Sequence, residues 1–327
     1  MHSPLLLPIL LTTITLTTAQ YLKDINPIAV DYPVHVDFVP DSTHLADLES
    51  PKLSEVNTTV FEWWYFDAVS STNPNASIVL TFFTTTATAF PAVPQNLSSV
   101  LLTYVWATLP NGTTVSQSIV PIDASVMGDR DISSGGWEGT GGWSGRESGY
   151  EAWVGWEGGR VSGRIVFRDL APPLLPCSTP KQTNRALGLG EGLGWNWGNR
   201  PFQNTVKSWS WGHVHIGQYA LVWLQYTPRV GGDINNNTTP IVSAYLARDG
   251  KVVQSGCRNS LISIWERMTE SSYGVDVGMD GVELRIEGTV EVAGDGKNYF
   301  RWNGVVHGTV EGQKLDGGVA VFEGFRL

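Results

Sequence analysis

Val60-Phe61-Glu62-Trp63-Trp64-Tyr65-Phe66-Asp67-Ala68-Val69 is almost wholly aromatic or β-branched. Such residues suit a pleated, buried surface, so the stretch reads as a strand. Successive side chains of a strand point to opposite faces. Glu62, Trp64 and Phe66 therefore share one face, while Phe61, Trp63, Tyr65 and Asp67 share the other. One of these faces is expected to be the lining of something.

Outward from it, turn residues run from Ser70 to Asn75, a second strand covers Ser77–Thr86, and a third covers Val100–Thr108 before Pro110-Asn111-Gly112. This is an antiparallel meander. From Gly135 to Asp169 short Trp, Tyr and Val pieces alternate with Gly pairs, the spacing of a sandwich or barrel. Ala171-Pro172-Pro173-Leu174-Leu175-Pro176-Cys177 interrupts the pattern, because proline cannot donate to an inner ladder, and marks a boundary. Strands resume at Ser208–Gln225, Ile241–Ala247, Leu261–Trp265, Val282–Val292, Lys297–Val306 and Gly317–Phe325. Their turns Asp249-Gly250, Asp280-Gly281 and Asp295-Gly296 suit type I′ hairpins. The expected fold is all-β: one β-sandwich domain over 20–175, a second β-barrel domain over 205–327, and an irregular connection over 176–204.

Composition agrees. Charged residues make up 16% of the 327, with 36 Gly and 18 Pro, against an ordinary charged share of about 25%. Short strands joined by tight turns give that balance; fibres and disorder do not. The formal net charge of −10 leaves no footprint for a polyanion, so nucleic acid and anionic membrane surfaces are excluded as partners.

Residues 4–18 are an apolar run ending before Ala19-Gln20, read as a cleavable secretory signal over residues 1–19. The run is too short and too broken by Pro8 and Thr to be a membrane anchor. Sequons at Asn57, Asn75, Asn96, Asn111, Asn236 and Asn237 support a secreted glycoprotein. The two cysteines, Cys177 and Cys257, either form one disulfide closing a loop of ~80 residues, worth about 4 kcal/mol, or remain unpaired thiols. No CxxC or Cys/His cluster suggests zinc or redox chemistry.

Fourteen Trp is a large excess, and many sit on strands. A closed core favours Leu, Ile and Val, which bring no N–H groups needing partners. An indole-lined cavity with a few placed polar groups accommodates the excess better, and a two-sided core remains the plainer explanation for any single Trp. No phosphate loop, GxSxG or HExxH is present, so no cofactor is expected. Trp211-Gly212-His213-Val214-His215 puts two imidazoles on one strand face. With few other histidines and no acidic neighbour in sequence, this reads as a hydrogen-bonding wall and not a metal site.

Three segments together resemble a known family. Phe61-Glu62-Trp63-Trp64-Tyr65-Phe66-Asp67 is similar to the E-x-W-Y-F-D signature of the lipocalin-like hydroxyneurosporene synthase/AttH proteins, whose fungal branch contains Diels–Alderases of polyketide–amino acid pathways. Asn196-Trp197-Gly198 with Pro201-Phe202, then Ser208-Trp209-Ser210-Trp211-Gly212-His213, resembles the N-W-G-x-x-P-F…S-W-x-W-G-H block of secreted fungal members. Trp137-Glu138-Gly139-Thr140-Gly141 also fits. Longer relatives read G-Y-H-D-x-N-W-G where this chain has Gly192-Leu193-Gly194-Trp195 before Asn196. The resemblance implies two lipocalin-like barrel or sandwich domains with a pocket between them. It also implies a role for Glu62 as anchor of the substrate's polar head and for Trp64 as a wall.

A [4+2] cyclisation needs no nucleophile, metal or redox partner, which suits the empty motif list. Tyr65 and His213 are candidate hydrogen-bond partners by strand placement. Tyr104, Trp106, Trp211, Trp223 and Trp302 are candidate walls by aromatic type. The expected partner is a hydrophobic polyene, and the chain is taken as a monomer. The rivals are a hydratase or isomerase of a terpenoid or carotenoid-like polyene, with Glu62 as the acid, and a secreted carrier or a glycan-binding module with exposed Trp.

Overall fold

The computed structural model describes residues 21–37, 49–129, 132–146, 149–168, 182–186, 191–229, 239–257, 259, 261–269 and 271–327, with backbone alone at 182–186 and 191–195. The signal segment over 1–19, Cys177, Asn236 and Asn237 lie outside the described residues.

Three antiparallel sheets account for the fold. The outer N-terminal sheet runs, in spatial order, Tyr21–Ile25, Ala124–Asp129, Ile132–Trp137, Gly141–Arg146, Gly149–Val154, Gly163–Arg168. The inner N-terminal sheet runs Gln182–Ala186, Glu191–Gly198, Phe61–Val69, Ser77–Thr85, Leu101–Thr108, Thr114–Ile119. These two pack face to face over a core that includes Trp64, Phe66, Phe82, Trp137, Trp143 and Phe167. The C-terminal sheet has nine strands, with Val206–Ile216 and Gln313–Arg326 adjacent near its middle. It curls on itself: Ser210 Oγ and Tyr273 OH lie 3.5 Å apart although three strands separate theirs in the sheet. Its core includes Leu221, Trp223, Ile286 and Phe322.

The all-β expectation holds. The strand at Phe61–Val69 is buried on both faces. Several local readings change. Residues 176–204 are not irregular throughout, because Gln182–Ala186 and Glu191–Gly198 extend the inner sheet and Phe202–Thr205 forms one helical turn. A glycine-rich segment is a weak strand signal by itself, but pairing along all of Phe61–Ala68 supplies it with a full ladder. Ser208–Gln225 is not one strand. It is the hairpin Val206–Ile216 and Tyr219–Pro228, turning at Gly217, whose φ is +61°. Among the Asp-Gly pairs only Asp249-Gly250 has positive φ at both residues (49° and 74°), as type I′ requires. Cys257 is free and exposed among the described residues, and Cys177, its expected disulfide partner, lies outside them.

A third cluster joins the halves. Phe61, Trp63 and Tyr65 from the inner sheet, with Phe90, meet Trp209, Trp211 and others of the C-terminal sheet. His213 Nε2 donates to Asp67 Oδ1 across this boundary at 2.7 Å, and Asn303 Nδ2 to Ser77 Oγ at 2.9 Å. Gly212 makes the alternation of Trp211-Gly212-His213 possible. A Cβ there would lie 2.4 Å from the Trp223 indole, so the missing side chain lets Trp223 pack beneath while Trp211 and His213 face the other half.

Candidate active site

The two faces of Phe61–Val69 serve different ends. Glu62, Trp64 and Phe66 turn into the N-terminal sandwich. Glu62 is 1% exposed and its Oε1 accepts the Lys52 N–H at 2.8 Å. Burial, opposed by the nearby lysines, pushes its carboxyl up to about 7. Trp64 is wedged between Trp143 and Trp137, with ring centroids at 5.2 and 5.4 Å, and its Nε1 donates to the Glu49 carbonyl at 3.3 Å. Neither side chain reaches the boundary between the halves. Trp223 and Trp302 likewise pack on the C-terminal sheet's own core. The anchor and three of the six walls expected from the sequence therefore stand elsewhere. The structure brings together Tyr65, Tyr104, Trp106, Trp211 and His213.

Between the halves lie two adjoining cavities that share Trp63. One, of about 110 Å³, is walled by Phe61, Phe202, Trp209, Leu224 and Tyr226. The other, of about 40 Å³, is walled by Tyr65, Tyr104, Trp106, Arg301 and Glu323. Tyr104 and Trp106 pack ring against ring, 3.8 Å between centroids with their planes tilted by 32°.

Arg301 is the chemical centre of the second cavity. It is 4% exposed, and its Nε and Nη2 donate to Glu323 Oε2 at 3.1 and 2.6 Å. Tyr299 OH donates to the same oxygen at 3.0 Å. The guanidinium carbon lies 5.0 Å from the Tyr65 ring centroid and 5.2 Å from that of Trp106. Burial opposes its charge, but the Tyr299, Tyr65 and Glu323 oxygens outweigh burial and hold it above the ordinary arginine range. Its Nη1 is buried with no partner among the described protein groups. An unpaired buried charged donor is costly, and here it is enclosed among the aromatic rings beside the second cavity.

Tyr65 connects this cation to the inter-half bond. Its hydroxyl donates to Asp67 Oδ2, while His213 holds Oδ1. Burial raises the Tyr65 phenol well above its usual value, so it remains a neutral donor. Trp211 meets the Tyr65 ring edge-on at 5.1 Å, and the Nε1 atoms of Trp209 and Trp211 are buried without partners among the described residues. No group of three or more His, Cys, Asp or Glu that could hold a metal occurs among the described residues.

Sequence reading missed Asp67, Arg301 and Glu323. The signal for Arg301 was present in Tyr299-Phe300-Arg301-Trp302, a charge in an aromatic strand sharing a face with Tyr299 and not with Trp302.

The geometry defines a two-part β protein with a buried aromatic cleft around one cation. Residues 34–187 match the Diels-Alderase-like family, and the resemblance read from the aromatic strand is borne out. The quinolone epoxide rearrangement protein asqO of Emericella nidulans is 27% identical over 252 residues, 64% of this chain and 64% of that protein. The protein of the same description, penF of Penicillium thymicola, is 26% identical over 255 residues, 66% of this chain and 68% of that one. The chain thus spans about 64% of the length of the first relative. In fold it is similar to CghA, solved with Sch210972, at a TM-score of 0.69 and 16% identity over 94% of this chain and 98% of that one. The lipocalin-like class is therefore shared with CghA.

Proposed function

We propose that this protein is an isomerising cyclase of the kind used in fungal secondary metabolism, acting on an apolar polyene that carries one activating oxygen. The unpaired Nη1 of Arg301 inside an aromatic wall carries the reading. In a [4+2] cyclisation three π bonds become two σ bonds and one π bond, with no atom gained or lost. The cleft would hold diene and dienophile in contact, a gain of roughly 7–11 kcal/mol for well-oriented intramolecular reactions. Arg301 would donate to the dienophile carbonyl as charge develops, where one such donor is worth about 3–4 kcal/mol. Tyr65, held by Asp67, fixes the guanidinium from one side, and Trp106 shapes the opposite wall.

A second reading is favoured by the names of the two curated relatives. The same Nη1 would donate to an epoxide oxygen as its C–O bond breaks, and a carbon substituent or hydrogen would migrate to the electron-poor carbon. This too conserves mass. The hydratase alternative loses its acid, because Glu62 faces the sandwich core, and water addition would change the mass. A carrier would bind in the same cleft without turnover.

The test is incubation of the protein with a polyenoyl tetramic acid and, separately, a quinolone epoxide, followed by chromatography and mass spectrometry. A product of unchanged mass is expected from one of them, with Arg301→Met slowing it by about 10²–10³-fold. Binding without conversion of either would make the protein a carrier.

Passage through the secretory pathway belongs to the same proposal. Asn75, Asn96 and Asn111 are exposed and Asn57 is half-buried. Expression in a eukaryotic host should give secreted protein whose mobility increases on enzymatic deglycosylation; unglycosylated protein retained in the cells would refute it.

A further inference from the structure

Away from the cleft, an open trough of about 390 Å³ crosses the outer face of the C-terminal sheet. Strand register places Trp265, Asp276, Arg285 and His307 side by side on four neighbouring strands. At about 4.8 Å per strand the row is about 14 Å long. The alternate residues of these strands, Val275, Val277, Leu284, Ile286 and Val306, fill the core beneath. Trp265 is 70% exposed, so its indole is held out in water on a rigid sheet.

Around it the trough is shaped. Gly278 leaves bare backbone beside the indole, and a Cβ there would lie 2.5 Å from Ser263 Oγ. Arg267 Nε donates to Asp276 Oδ2 at 3.0 Å and Arg267 Nη2 to the Ile286 carbonyl at 3.0 Å, which fixes the Asp276 carboxylate. Asp276 Oδ1 is turned away from the trough, buried and without a hydrogen-bond partner among the described residues. Arg285 is steadied by Glu287, Nε to Oε1, at 3.0 Å. Glu283 and His307 complete the rim.

We propose that this trough binds a neutral oligosaccharide. A pyranose ring has an apolar C–H face, which stacks on an exposed indole, and a rim of hydroxyls that both donate and accept. Glu283 supplies an acceptor, and Arg285 and His307 supply donors. The two signs alternate, so a charged ligand of either sign meets an opposing group. A purely apolar ligand would strip water from these groups without replacing it. A row of about 14 Å suits a short chain of sugar rings better than a single one.

The trough shares no residue with the cleft, so this inference stands apart from the cyclase reading. Isothermal titration calorimetry with cellotriose and with chitotriose tests it. Saturable binding of at least one is expected, weakened about tenfold by Trp265→Ala and unaffected by Arg301→Met. Circular dichroism of Trp265→Ala should match the parent, since the indole packs on little. The proposal is overturned if neither sugar gives saturable heat, or if Trp265→Ala binds as the parent does. Self-association that depends on Trp265, seen in sedimentation without sugar binding, would equally overturn it in favour of a second copy of this chain.

Discussion

Glu62 and Asp67 occupy one strand and opposite faces, and the physics separates them. Asp67 meets a tyrosine hydroxyl and an imidazole at the boundary between the halves. Glu62 meets a backbone N–H inside the sandwich, where burial lifts its carboxyl to about 7. Because the folded value is raised above the ordinary 4.5, the folded state binds the extra proton between those two values, and Glu62 makes stability fall as pH rises through that window. The full effect is on the order of 3 kcal/mol. Glu62→Gln should therefore raise the melting temperature at pH 8 more than at pH 5 and leave turnover unchanged. A variant that loses turnover while folding normally would return Glu62 to the reaction.

At the scale of elements, Phe61–Val69 is a wall between two apolar spaces, and the face a side chain takes sets what its loss does. Trp64→Ala opens a hole in a packed indole cluster and should cost about 3–5 kcal/mol in chemical denaturation. Trp63→Ala, on the cleft face, should cost less stability and weaken ligand binding more; equal loss of stability with unchanged binding would argue against the division. The strand and its two faces were legible because a period of two needs only residue types. Which face meets the cleft was not, since that depends on the partner sheets. The Gln182–Ala186 and Glu191–Gly198 strands were hidden for a related reason, their ladder being supplied by a neighbour distant in sequence. Gly217 was legible only as a glycine, and its left-handed φ makes the hairpin. Arg301 was overlooked because the aromatic beside it drew the reading, though strand alternation pointed its charge away from Trp302.

At the scale of the molecule, two β halves meet through aromatic rings and a few polar ties, Asp67 to His213 and Ser77 to Asn303 among them. Each cavity between them, about 110 Å³ and about 40 Å³, is smaller than an ordinary ligand pocket of about 300–1,000 Å³. A guest of useful size therefore enters only if the rings around Trp63 turn or the halves part, merging the two spaces. A crystal structure of the protein with a converted substrate or its product examines this directly. The expected result is a ligand lying along Trp63 and Trp106, with one of its oxygens within hydrogen-bond distance of Arg301 Nη1 and the two cavities joined. A ligand seated inside the N-terminal sandwich beside Glu62, with Arg301 Nη1 still unpaired, would contradict it.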